Sequence, residues 1–143
     1  MDNADPMRCG RLKISVAAAY GNQGADVLPW AWPKYQRSGD FFVPAIGDSV
    51  YVEFLCTDDE PNPEHPLWTG TWLSATEVPT EVFADSPENA HYYRLEQTRT
   101  GHKVLFCDKP GAERIEIRHK AGGTILFDSE GNVKINGKII YLN

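Results

Sequence analysis

RIEIRHKAGGTILFDSEGNVKIN, residues 114–136, is the stretch on which the fold turns. Ile115 and Ile117 alternate with Arg114, Glu116 and Arg118, and a period of two marks a strand with one apolar and one charged face. Ala121-Gly122-Gly123 and Ser129-Glu130-Gly131 are turn clusters that cut the stretch into short strand-length runs. Working outward, HKVLFCD (102–108) precedes it across the turn Lys109-Pro110-Gly111, and GKIIYLN (137–143) prolongs its last strand. The segment also repeats. KVLFCD at 103–108 is echoed by TILFDS at 124–129, and IEIRHK at 115–120 by VKINGK at 133–138. Two copies of a β unit of roughly twenty residues are expected.

A sheet this narrow buries little by itself. Two repeats lack the stacked neighbours of a solenoid, and isolated hairpins are marginal in water, so the apolar face needs cover from elsewhere. Three chains turned about an axis supply it, with the apolar rows inward and the Lys, Arg and Glu rows in solvent. On that expectation Ile115, Ile117, Ile125, Phe127, Val133, Ile135 and Ile139 are the candidate core of a homotrimer. The other way to cover the face is to pack it on the preceding domain.

Upstream the pattern is that of a turn-rich β domain. GRLKISVAAAY (10–20) alternates Leu12, Ile14 and Val16 against Arg11, Lys13 and Ser15, which predicts a half-buried strand. In VLPWAWP (27–33), Pro29 and Pro33 confine the chain to an edge or irregular strand, because proline cannot donate to a ladder. FFVPAIGDSVYVEFLC (41–56) alternates Val50, Val52 and Phe54 after the turn pair Gly47-Asp48. TDDEPNPEHP (57–66) reads as a loop with three prolines, and PLWTGTWLS (66–74) as a returning strand in which Gly70 marks a bulge or a close backbone approach. Four or five short strands in about 65 residues fit a small closed barrel of the OB type. Residues 75–97 lose the alternation and read as a linker with a short extended or helical piece. The expected organisation is all-β: an OB-fold-like barrel over 1–74, the linker over 75–97, and a trimeric β unit over 98–143.

Composition narrows the function. With 41% hydrophobic and 24% charged residues the chain is of the folded class and not the disordered one. Its net charge of −6 disfavours nucleic acid as a partner, since phosphate binding draws on clustered Lys and Arg. MDNADPMRCG lacks the apolar core of a secretory signal and no run is membrane-length, so synthesis and folding in the cytoplasm are expected. Cys9, Cys56 and Cys107 are odd in number and widely spaced, which suits free, mostly buried thiols.

Several clusters invite chemistry. Asp58, Asp59, Glu60, Glu64 and His65 offer oxygen ligands for a hard cation, but without EF-hand spacing and with prolines between them they read as a solvated acidic loop. His65, His91, His102 and His119 read as isolated from one another. There is no nucleophile elbow and no Gly-rich phosphate loop, so an enzyme is the least supported class, and no catalytic residue, metal or cofactor is expected. Trp30 and Trp32 lie two apart on one strand face and could stack on bases or sugars. That gives the alternative of an OB-fold binding module for single-stranded nucleic acid or glycan. Acidic surroundings weaken that alternative, and ordinary aromatic packing favours the barrel wall or a protein interface. Phe41 and Phe42 are adjacent, so one is expected in the core and the other against a partner.

GRLKISV, LPWAWP, FFVPAIGDSVYVEF and NPEHPLWTGTW, in that order, resemble the OB-fold and β-helical spike proteins of contractile tails, among them the phage baseplate hub and the VgrG proteins of type VI secretion. TGHKVLFCD, GAERIEIRHKAGGTILFD and EGNVKI resemble the start of that family's intertwined triple-stranded β-helix. The resemblance covers about residues 10–73 and 98–136. It implies the central, cell-puncturing spike of a phage tail baseplate: a virion structural protein whose barrel is a collar against the hub and whose C-terminal strands are a rigid needle aimed at the host envelope. Trp30, Trp32, Phe41 and Phe42 then become candidates for the contact with baseplate hub proteins. Some relatives insert a lysozyme domain between barrel and helix, but residues 74–94 cannot hold one, and no muralytic activity is expected. Some short spikes hold iron at the apex through an HxH pair, which this chain lacks, so a separate PAAR-like tip protein is the expected cap.

Overall fold

A computed structural model describes residues 2–74 and 76–141. The chain divides into two compact units at residues 76/77. Both are built on β-sheet, with short helical turns, and no helix of the described residues is long and apolar enough to cross a membrane.

In the first unit, strand β1 (Trp32–Pro33), β2 (Val50–Thr57) and β3 (Glu60–Thr71) form an open sheet in the order β1-β3-β2. The closed barrel expected from the sequence is not formed. One reason lies in GRLKISVAAAY, which makes only isolated bridges: Leu12 exchanges backbone hydrogen bonds with Ala31 at 3.0 and 2.8 Å, and Lys13 with Asp2 at 2.8 and 3.2 Å. Just before, the Asp5 carboxylate collects the N–H groups of Met7, Cys9 and Arg11 together with the Arg11 guanidinium, holding the backbone in a local loop. Just after, Ala17–Tyr20 curls into helical turn α1, as three consecutive alanines favour, and Gly21 closes it at φ +59°. The expected strand is thus interrupted at both ends.

Asp58 and Asp59 turn the β2–β3 hairpin at φ +53° and +67°. A two-residue hairpin turn of that hand needs positive φ at both central positions, and aspartate tolerates it. The acidic, proline-bearing stretch read as a loop is therefore a tight turn followed by strand. Pro61 and Pro63 lie where β3 pairs with β2 alone, and the register slips between Phe54 and Cys56 to accommodate them. The bulge anticipated at Gly70 is present: Val50 pairs with Thr71 and Tyr51 with Thr69, leaving Gly70 out of register at φ +53°. β1 is an edge strand, as Pro29 and Pro33 predict, and pairs in parallel with Leu67 and Trp68.

Leu12, Ala31 and Trp68 form the core of this unit, with Ile14, Tyr35 and Val50 packed against them. Trp68 is only 1% exposed, and its indole N–H donates to the Gly10 carbonyl at 3.0 Å, which satisfies a polar group that burial would otherwise penalise. Tyr20 fixes α1 to the hairpin by meeting Phe54 edge-on at 6.0 Å and donating to the Pro63 carbonyl at 2.6 Å.

The second unit holds a five-stranded antiparallel meander, β4 (Tyr93–Gln97), β5 (Lys103–Cys107), β6 (Arg114–Arg118), β7 (Thr124–Phe127) and β8 (Val133–Asn136), ordered in space as in sequence. From Glu77 on, the stretch read as a linker, 75–97, belongs to this unit. It supplies helical turn α2 (Thr80–Phe83), a 3₁₀ helix at Pro87–Tyr92 and β4 itself. β4 escapes a pattern-based reading because only Tyr93 and Leu95 alternate before polar residues take over. The last strand also stops earlier than the sequence predicts: Gly137 follows β8, and Ile139 lies beyond the ladder.

Candidate interaction surface

Alternation along the meander sorts its side chains onto two unlike faces. On one, Tyr93 stands across from Cys107 and Leu95 across from Leu105. Leu105 and Cys107 are fully buried there. Polar ties bind α2 and the 3₁₀ helix to this side. Glu81 pairs with Lys103 and, at 3.6 Å, with Arg118, which also holds Glu116. Burial would raise the Glu81 carboxyl, but the Lys103 hydrogen bond and the charges of Lys103 and Arg118 outweigh it and hold the group below the usual glutamate range. Asp85 accepts from Lys109, Tyr93 and Asn89 at 2.7–3.0 Å and from the Ser86 N–H. These bonds, the Lys109 bond foremost, keep its carboxyl well below the usual range, and the hydrogen bond that Tyr93 donates to Asp85 pushes the Tyr93 phenol up to about 12. The charged rows expected to lie in open solvent are thus half-buried at Glu116 and Arg118, because α2 brings Glu81 to them.

The opposite face is apolar and uncovered. Val104, Ile117, Ile125 and Ile135 are cross-strand partners in one row, and Phe106, Ile115, Phe127 and Val133 in a second. Seven of these eight are more than a third exposed, from 36% at Ile125 to 55% at Ile135. An array of this kind exceeds the scattered surface hydrophobes that need no explanation. Covering each half-exposed side chain is worth on the order of 1 kcal/mol, so the whole array is comparable to the net stability of a small domain. Its β4 border is polar: Arg94, paired with Phe106, stands 5.8 Å from that ring, and Glu96 is paired with Val104.

Six of the seven residues singled out from the sequence, Ile115, Ile117, Ile125, Phe127, Val133 and Ile135, share this face. Ile139 lies after β8, 69% exposed and outside the rows. Val104 and Phe106 belong to the array and were not singled out. The repeat contained the signal, since it aligns Val104 with Ile125 and Phe106 with Phe127. The histidines are not all isolated: His102 and His119 sit on neighbouring strand ends with ring centroids 4.4 Å apart. The register Lys103↔Arg118 places 102 beside 119, a pairing invisible without the hairpin.

In the first unit Trp30 and Trp32 flank one cation. The Arg11 guanidinium lies 5.3 and 5.2 Å from their rings, Lys13 Nζ is 5.2 Å from Trp30, and Arg11 is anchored by nearly buried Asp5. Phe41 and Phe42 do not divide between core and surface. They lie outside any strand, both are exposed, and both pack on Tyr35, at 6.0 and 5.9 Å, while Phe42 also meets Trp68 edge-on. Without a strand there is no alternation to send them apart. The thiols are free, with Cys107 buried, Cys9 half-buried and Cys56 exposed in the irregular part of β2, so burial does not extend to Cys56. No protein-family model matches the chain, and no curated protein matches it in sequence.

Proposed function

We propose that the chain is a homotrimeric structural protein, the central spike of a contractile phage tail or a related injection machine. The carrying observation is the pair of uncovered apolar rows on the second sheet. Three copies would bury them about a common axis as a short triangular β-helix to which each chain contributes its own sheet, and pairing between chains at the outer strands β4 and β8 would leave few free strand edges. The resemblance of residues 10–73 and 98–136 to contractile-tail spikes supplies the setting. The first unit then serves as the collar, presenting Trp30, Trp32, Phe41 and Phe42 to baseplate hub proteins. The needle meets the host envelope, capped by a separate PAAR-like tip protein.

A glycan or nucleic-acid module built on Trp30 and Trp32 has less support, because Arg11 and Lys13 already stand over those rings. Multi-angle light scattering of the purified chain tests the proposal. A mass of three chains that persists on dilution supports it, and a monomer at every concentration refutes it.

A further inference from the structure

We infer, on the footing of the self-association proposed above, that His102 and His119 form a proton-sensitive border of the apolar face, so that acid weakens association. His102 precedes Val104 by two residues and His119 follows Ile117 by two, so both fall on the same face, one row beyond the first apolar row. Their backbones are still in the ladder: Thr98 N–H donates to the His102 carbonyl at 2.9 Å, and His119 N–H to the Gly123 carbonyl at 2.7 Å. A sister chain laid over Val104 and Ile117 therefore also covers the imidazoles.

Two features act against a charged pair once a sister chain excludes water. The ring centroids are 4.4 Å apart, so two positive charges there repel. The Ala121 N–H donates to His119 Nδ1 at 3.1 Å already in the single chain, so this bond does not distinguish the separate from the assembled state. Withdrawal from water penalises an imidazolium more than an imidazole.

The surrounding charges are mostly positive. Lys103 on β5 and Arg118 on β6 adjoin the pair on the other face, where Glu81 and Glu116 hold them. Arg99 and Lys120 lie in the two adjoining turns, and Gly123 and Asn136, the neighbours from β7 and β8, carry no charge. Among the described strand residues, Glu96 on β4 is the acidic group on the same face, paired with Val104 in the first apolar row. Imidazole is the side chain whose charge ordinarily changes between about pH 5 and 8. The separated chains take up the protons, so lowering the pH favours separation.

Sedimentation velocity over a dilution series at about pH 7.5 and about pH 5.5 tests this, because each proton taken up per separating chain shifts the equilibrium by about tenfold per pH unit. The wild-type chain should need a concentration at least about tenfold higher for half-assembly at the lower pH. The double variant His102→Asn, His119→Asn, whose amide oxygen at 119 can still accept from Ala121, should assemble equally at both. His102→Asn alone leaves the Ala121 bond untouched and should show an intermediate dependence. Equal wild-type assembly at both pH values overturns the inference and leaves the trimer standing, as does an unchanged pH dependence in the double variant. A wild-type monomer at both pH values overturns the two together.

Discussion

Ile117 of β6 stands directly across the ladder from Ile125 of β7, on the face opposite Glu116, and is 46% exposed in the single chain. An aspartate at 117 would be harmless in an isolated chain, because the position is open to water. Buried between chains it would be an unpaired charge, a cost of several kcal/mol. Ile117→Asp should keep the wild-type circular dichroism and lose the trimer in light scattering. A retained trimer would take Ile117 out of the core.

Leu105 and Phe106 are neighbours on β5 with opposite surroundings: Leu105 is 0% exposed and Phe106 is 38% exposed on the apolar face. Leu105→Ala leaves a cavity on the covered face of the sheet and should cost about 2–5 kcal/mol in urea unfolding. Phe106→Ala should cost less at concentrations where the chains are separate and should show its main effect as weaker association. Equal losses in dilute protein would contradict the two-faced sheet.

Asp85 predicts an acid limb of stability. Its folded value lies below the ordinary 3.8, so the unfolded chain binds the extra proton. Its contribution is complete above 3.8 and is lost as the pH falls further. Tyr93 has the opposite sign: raised from 10.0 to about 12, it contributes fully below 10.0 and loses that contribution as the pH climbs through the raised value. Urea midpoints measured at about pH 3 and about pH 6 should differ less in Asp85→Asn than in the wild type. An unchanged difference would mean that other carboxylates set the acid limb.

Much of the second sheet is legible in the sequence because period-two alternation and glycine turns act locally there, and the echo between 103–120 and 124–138 restates the same strands. The apolar face follows from that alternation, and six of its members can be named in advance. What cannot be read locally is what covers the other face. The ties from Glu81 to Lys103 and from Asp85 to Lys109 span 22 and 24 residues and have no periodicity. The first unit is less legible for a related reason. Asp5 gathers backbone donors from Met7 to Arg11, and the alanines at 17–19 prefer a helical turn, so an alternating stretch becomes bridges and a bend. The nearness of His102 to His119 likewise depends on a hairpin register that no spacing rule encodes.

The five strands of the second sheet lie side by side in the order in which they are synthesised. Each therefore finds its neighbour by closing a short loop, at small entropic cost, and a topology of such local contacts forms quickly. A nascent chain can complete this meander before it meets another copy. Any later union of chains would then join prefolded sheets, and its rate would rise with protein concentration while the folding of each sheet would not.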